Sequence, residues 1–284
     1  MTTSIDTDTP CHAIWLGSPE PCRLIARAER NCVPHEVWRG ESVAFMERAA
    51  AEGRLWDAVV CDPPYCSGGS QGMRAVSRST ADKYCQTQTK NVPDDFHGDG
   101  LTEVQFAEWC RAWMRRAHNV TRPGGLFLFF IDWRNLGNAV SAAGIAGWNV
   151  RSVAVWDKTT QSRPVRGLFR FQSEYIVVCS KGKPDLNADV YLPGVLRYPP
   201  ASQTGAPRLH ITQKPEPLMG ELLRAVVCTG LGVLDPFAGS GTTLIAAAAA
   251  GVPSCGVEYV PSIADTCAAR VAAFCGASSS HELL

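Results

Sequence analysis

The chain has 284 residues, 45% apolar and 19% charged, and its 27 basic residues are balanced by 27 acidic ones. This composition supports a packed core in one large domain or two small ones and excludes both a disordered chain and a uniformly basic nucleic-acid binder. Residues 1–30 scatter Asp6, Asp8, Glu20 and Glu29 among apolar residues with no secretory pattern, and no stretch approaches the roughly 18 apolar residues of a membrane span, so a cytoplasmic chain without a membrane partner is expected.

Residues 1–34 show no clear periodicity and read as a loosely packed N-terminal extension. From there strand-like and helix-like segments alternate. HEVWRG (35–40) is a short strand, SVAFMERAAAEG (42–53) a helix, and DAVVCD (57–62) a short apolar run with the pattern of a buried parallel strand. Residues 66–100 are polar and read as a long loop, which inside a compact domain is more often functional than idle. A helix over 101–120 then leads to a buried strand at 125–132. A helix at 134–143 precedes strands at 149–158 and 174–182, and the proline-rich stretch 183–211 is irregular. A helix at 214–227, a strand at 232–237, a Gly-rich turn opening a helix (238–251), a strand at 254–259 and a helix from 261 to 275 complete the chain. Such alternation predicts an α/β fold with a doubly wound, mainly parallel sheet.

The 12 cysteines include no C-x2-C pair, so a zinc ribbon is not supported and no metal site is expected. Several lie in apolar runs, as in VVCDPPY and YIVVCSKG, where buried free thiols in a reducing compartment are the simpler reading.

Two constellations carry chemistry. In Asp235-Pro236-Phe237-Ala238-Gly239-Ser240-Gly241-Thr242-Thr243 a strand ends in an acid and a Gly-rich turn opens a helix. The glycines let the backbone approach a ligand, and free helix N–H groups point at it. Glu258 ends the next strand, where an acid suits the two hydroxyls of a ribose. The turn lacks the Lys of a P-loop and the third Gly of a dinucleotide site, so the pattern points to a different adenosine-containing cofactor. The second is Asp62-Pro63-Pro64-Tyr65, at the carboxyl end of a buried strand. Asp62 and the Pro63 carbonyl offer two acceptors for an exocyclic NH2 group, Pro63 and Pro64 stiffen the backbone, and Tyr65 offers a ring to stack on.

Together, Asp62-Pro63-Pro64-Tyr65 and the DPFAGSGTT run resemble the S-adenosylmethionine-dependent amino-methyltransferases of DNA. His210-Ile211-Thr212-Gln213-Lys214-Pro215, Trp156-Asp157-Lys158 and Glu174-Tyr175 are similar to further segments of that family, and Asp132-Trp133-Arg134 and Arg163-Pro164 to its small phage members. The tetrapeptide precedes the cofactor loop, as in the permuted β group. The resemblance covers about residues 35–275 and implies a Rossmann-like, circularly permuted, seven-stranded methyltransferase domain. It implies a short target-recognition segment at 183–209, with 276–284 as a tail. It implies S-adenosyl-L-methionine held by Glu41, Asp62, Thr212, Lys214, Asp235, Phe237, Gly239, Ser240, Gly241, Thr242 and Glu258, and transfer of its methyl group to a flipped base. Relatives usually carry Asp where Glu41 stands. The family's cytosine-N4 enzymes more often carry Ser in place of Asp62, which favours adenine N6. Cytosine N4, an RNA substrate and an inactive DNA-binding relic are the competing readings.

Four basic residues oppose one acid over 66–92, and ten oppose four over 151–215. Arg74, Arg78, Lys83, Arg163, Arg166 and Arg170 are the expected phosphate contacts of a DNA partner. A homodimer and a cognate restriction enzyme encoded outside this chain are further partner expectations.

Overall fold

Strand β3 (Trp56–Cys61) is buried along its whole length, as its apolar run predicts. The pleat sends alternate residues to opposite faces. Val59 and Cys61 join one hydrophobic cluster, Ala58 and Val60 another, and the neighbouring strand β4 (Thr121–Ile131) divides Phe127, Phe129 and Ile131 from Leu126, Leu128 and Phe130 in the same way. The first cluster is closed by helices α1 (Ser42–Ala51), α2 (Glu103–Asn119) and α3 (Leu136–Ile145), the second by α4 (Glu216–Leu223) and α5 (Thr242–Ala249). Helix α2 begins with a reciprocal capping box between Thr102 and Gln105. The structure, a computed structural model, describes residues 21–65, 102–160, 162, 164–201 and 213–276.

The remaining strands are β1 (Arg23–Arg30), β2 (Val33–Arg39), β5 (Asn149–Asp157), β6 (Ser173–Ser180), β7 (Val195–Arg197), β8 (Val233–Asp235) and β9 (Ser254–Glu258), and α6 (Pro261–Gly276) ends the described chain. Together with β3 and β4 they form one sheet in the order β1-β2-β9-β8-β3-β4-β6-β5-β7. Strand β6 runs antiparallel to β4 and β5, and β1 antiparallel to β2; the other pairings are parallel.

The inner seven strands make the doubly wound sheet that the alternation predicts. Two edge strands were not foreseen. Strand β1 lies within the stretch read as a loose extension. It forms a hairpin with β2 through Asn31-Cys32, where both residues have positive φ, the backbone that a two-residue turn between twisted strands requires. Asn31 followed by Cys rather than Gly is a weak signal for it. At the other edge, β7 pairs with β5 inside the stretch read as irregular.

Chain order and sheet order part company between β3 and β8. From β3 the chain winds outward through α2 to β4; from β8 it winds the opposite way through α5 to β9. The carboxyl ends of β3 and β8 therefore flank the point at which the strand order reverses, which is where open α/β sheets bind ligands. Both constellations singled out in the sequence open onto it.

Candidate active site

The turn after β8 is held by its own acids. Asp235 accepts from the Phe237 N–H at 3.0 Å and from the Thr243 hydroxyl at 2.5 Å. Burial pushes its carboxyl up to about 7, against those two bonds. Glu258 accepts from the Gly239 N–H at 2.9 Å and the Val260 N–H at 2.8 Å, and burial raises it as well. Ser240 and Thr242 are buried, and the Ser240 carbonyl and hydroxyl accept from Arg270. Phe237 packs edge-on against Trp113, with ring centroids 5.0 Å apart.

The two glycines of this turn have different reasons to be glycine. Both have positive φ, +53° at Gly239 and +85° at Gly241. A Cβ on Gly241 would sit 2.7 Å from the Cys267 sulfur of α6, whereas one on Gly239 would have, among the described residues, no atom nearer than the Phe237 carbonyl at 4.0 Å. Between the buried residues Ala238 and Ser240, Gly239 thus borders open space, a cradle that a side chain would fill. With the Glu258 acid beside it, this cradle fits the adenosine-bearing cofactor that the sequence suggests.

Glu41 has another task. Its carboxylate accepts from the Val43 and Ala44 N–H groups at 2.9 and 2.6 Å and caps α1. The longer side chain folds back onto the helix start and serves as its cap.

Asp62 lies at the end of β3, adjacent to β8, with its side chain 23% exposed. Its Oδ1 accepts from the Tyr65 hydroxyl at 2.5 Å and its Oδ2 from Lys214 Nζ at 2.5 Å. The Tyr65 hydroxyl oxygen also lies 3.0 Å from Glu174 Oε2, so its single proton is shared between the two carboxylates, and Lys214 Nζ lies 3.4 Å from the same Glu174 oxygen. Lys158 completes the cluster at 2.8 Å from Glu174 Oε1. Burial pushes Asp62 above the usual aspartate range, with Lys214 opposing and Glu174 adding to the rise. Burial alone would raise Glu174 too, but Lys214 and Lys158 hold it down at about 2. Burial beside two carboxylates drives the Tyr65 phenol well above its ordinary value.

Lys214, read in the sequence as a cofactor contact, is thus placed on the tetrapeptide's acid. Its ammonium lies 5.1 Å from the Phe130 ring centroid, 5.4 Å from that of Tyr65 and 5.7 Å from that of Trp156. The Tyr65 hydroxyl, beside the ring offered for stacking, bridges the two carboxylates. The buried Pro63 starts the turn, and the Asn135 amide fixes its end by donating to the Tyr65 carbonyl at 2.7 Å. Asn135 is oriented in turn by Asp132, which accepts from its N–H and from Arg134.

Glu174 and Lys158 were legible in the sequence only as parts of segments, without a role. Their signal is one of register. Glu174 pairs with Trp156 across β5 and β6, which puts it on the cluster's side of the sheet with Lys158 two residues on. Among the expected phosphate contacts, Arg166 is exposed on a turn, whereas Arg170 donates to the carbonyls of Thr160 and Ser162 and pins its own loop. Thr212, Arg74, Arg78, Lys83 and Arg163 lie outside the described residues, as do 66–101 and the tail 277–284.

A doubly wound sheet, a glycine cradle with a ribose-type acid and a carboxylate-tyrosine acceptor set across one crevice define a group-transfer enzyme of the methyltransferase type. The sequence model of the DNA methylase family, N6_N4_Mtase, matches residues 56–269, and the chain belongs to that family. It is 27% identical over 222 residues to YubD of Escherichia coli (strain K12), a protein designated a methylase, covering 78% of this chain and 83% of that protein. Its fold is similar to that of M1.HpyAVI solved as a complex with SAM (TM-score 0.59, 20% identity, 82% of this chain and 97% of that one). It is also similar to the PvuII DNA methyltransferase, titled cytosine-N4-specific (TM-score 0.62, 12% identity, 92% of each chain). The chain therefore has the Rossmann-like methyltransferase fold and is a DNA amino-methyltransferase.

Proposed function

We propose that this chain methylates the exocyclic N6 of adenine in DNA, with S-adenosylmethionine as donor and the target base turned out of the duplex. The observation that carries the reading is the Asp62 carboxylate, held at the switch point by Tyr65 and Lys214 and facing the cofactor turn across adjacent strands. Glu258 and the space in front of Gly239 support the cofactor's place. Residues 35–275 form the catalytic unit, 183–209 the recognition segment, and Arg166 a phosphate contact.

When bound, the cofactor supplies a methyl group activated by a positively charged sulfur. The protein's work is then positioning. An amino nitrogen conjugated with its ring is a poor nucleophile. Asp62 and the Pro63 carbonyl accept its two N–H bonds, draw it toward tetrahedral geometry and free its lone pair. Tyr65 holds the ring face. The surplus proton leaves the nitrogen for Asp62 and passes to solvent. An aspartate whose proton affinity is raised by burial is better suited to that step than an ordinary one.

The test is methyl transfer from labelled cofactor to unmethylated DNA, followed by digestion and nucleoside mass spectrometry. N6-methyladenine is the expected product. N4-methylcytosine would move the substrate to the other base of the same chemical class, and an unlabelled digest would overturn the reading.

A further inference from the structure

We infer that Lys214 is a displaceable cation with two stations: it passes from Asp62 to Glu174 as the amino group of the target base docks on Asp62. This rests on the functional reading above and assigns to Lys214, Glu174 and Lys158 a positioning role in it.

The geometry starts from Asp62. Both of its oxygens already accept a short hydrogen bond, one from Tyr65 and one from Lys214. The Tyr65 donor comes from the same turn and is itself shared with Glu174, so it has little freedom to leave. The ammonium sits on a flexible stem and carries three donors. It is 2.5 Å from Asp62 but only 3.4 Å from Glu174 Oε2, so a shift of well under its own stem length completes a full hydrogen bond there.

Glu174 is built to receive it. Lys158 occupies its other oxygen at 2.8 Å and keeps the carboxylate charged, leaving Oε2 for Tyr65 and Lys214. Without Glu174, moving the ammonium off Asp62 would leave a buried unpaired cation, which is strongly unfavourable. Three ring faces, from Phe130, Tyr65 and Trp156, line its position. The groups facing Asp62 are Lys214 ahead of α4, Glu174 on β6, Tyr65 in its own turn and Asp235 on β8; those facing Glu174 are Lys158, Lys214 and Tyr65. Two carboxylates and two ammonium groups balance whichever station Lys214 occupies. A plain structural ion pair would need neither the second carboxylate at 3.4 Å nor Lys158 behind it.

The experiment is the pH profile of single-turnover methylation on unmethylated plasmid DNA for the parent, Lys214→Met and Glu174→Gln, with steady-state kcat and DNA KM measured alongside and cofactor affinity by calorimetry as a check on folding. Lys214→Met removes the cation that keeps Asp62 ionised, so the acid limb should move to higher pH while the rate recovers above it. Glu174→Gln removes a like charge from Asp62 and the second station from Lys214. Its acid limb should stay or move to lower pH, and kcat should fall about tenfold or more with the DNA KM unchanged, because the ammonium now competes with the base for Asp62. Acid limbs moving in the same direction, or a Glu174→Gln variant with parental kcat, would overturn the two-station role. Should Lys214→Met not fold, Glu174→Gln alone decides. A parent chain that transfers no methyl group at any pH removes the functional reading, which is a different outcome from an active parent with coincident profiles.

Discussion

Two aspartates bracket the same strand and serve opposite ends. Asp57, at the amino end of β3, is wholly buried and accepts from Arg122, from Thr229 twice, and from the Leu231 and Gly232 N–H groups, all within 3.1 Å. Burial would raise its carboxyl, but the bonds from Thr229 and Arg122 outweigh it and leave it below the usual aspartate range. Asp62, five positions on, is raised instead, because burial and the neighbouring Glu174 carboxylate outweigh the opposing Lys214 and Tyr65. One acid is matched by its surroundings in the folded chain and ties β3 to the segment entering β8. The other is held by side-chain donors alone, one of them the flexible Lys214 ammonium, which suits a group that must accept a substrate's proton donors. The amino edge of the sheet is built for stability and the carboxyl edge for chemistry, and the latter is where a buried carboxylate with raised proton affinity is tolerated.

The sharpest way to break that comparison is to truncate both acids. Asp62→Ala should lower single-turnover methylation on the order of 10²–10⁴-fold while cofactor affinity stays near parental. Tyr65→Ala should be similarly impaired, and Tyr65→Phe should fall between it and the parent, since the ring face is kept and the bridge between Asp62 and Glu174 is lost. An Asp62→Ala protein methylating at the parental rate would contradict the role given to the carboxyl edge. Asp57→Ala should leave activity per folded molecule unchanged and cost about 3–5 kcal/mol of stability, because Arg122, Thr229 and the Leu231 and Gly232 N–H groups all lose their acceptor. Chemical denaturation measures it, and a loss well under 1 kcal/mol would show that the amino-edge knot is redundant.

The signs also differ with pH. Asp57 is depressed in the fold, so its stabilisation is present above the unfolded aspartate value of 3.8 and is lost as pH falls through its lowered value. Asp62 is raised, so its contribution is present below 3.8 and is lost as pH rises through its folded value. The stability gap between the parent and Asp62→Ala should therefore narrow as pH rises from acid to neutral, whereas the gap between the parent and Asp57→Ala should widen.

The two glycines of the cofactor turn sharpen the comparison within the carboxyl edge. Gly241→Ala forces a Cβ against the Cys267 sulfur and should cost the fold about 1–3 kcal/mol in overpacking. Gly239→Ala meets open space, and only the left-handed backbone penalty of roughly 1–2 kcal/mol applies. It should stay folded yet bind the cofactor poorly. Equal cofactor affinity in a folded Gly239→Ala variant would show that the cradle is not the cofactor's place.

The smallest effect is expected at Asp235. Its carboxyl, raised to about 7, favours the fold below 3.8 and loses that contribution as pH climbs through 7. Asp235→Asn can keep the Phe237 and Thr243 hydrogen bonds without the charge, so the variant's melting temperature should decline less than the parent's between pH 4 and 8. Parallel melting curves across that range would mean that the group titrates unshifted.

Much of this was legible in the chain itself. Apolar runs located β3, β4, β6, β8 and β9 because strands buried on both faces carry their signal in every residue. The turns after β3 and β8 were readable because each packs its chemistry into consecutive residues. Strand β1 was missed because an exposed edge strand with Arg23, Arg27, Glu29 and Arg30 has no apolar alternation to detect. Glu41 resembles an acid awaiting a ligand until the helix that follows claims it as a cap.

Sequence alone determined the fold class and the two motifs, since each depends on neighbours along the chain or on periodicity, and the family followed from the resemblance that those motifs carry. Only the tertiary structure decided that Asp62, Tyr65, Lys158, Glu174 and Lys214 form one charge cluster. Those residues lie up to 152 positions apart, and their meeting depends on strand order and on the register of β5 with β6. Register shifted by one residue would turn Glu174 to the other face of the sheet, and nothing local in the sequence encodes which face that is.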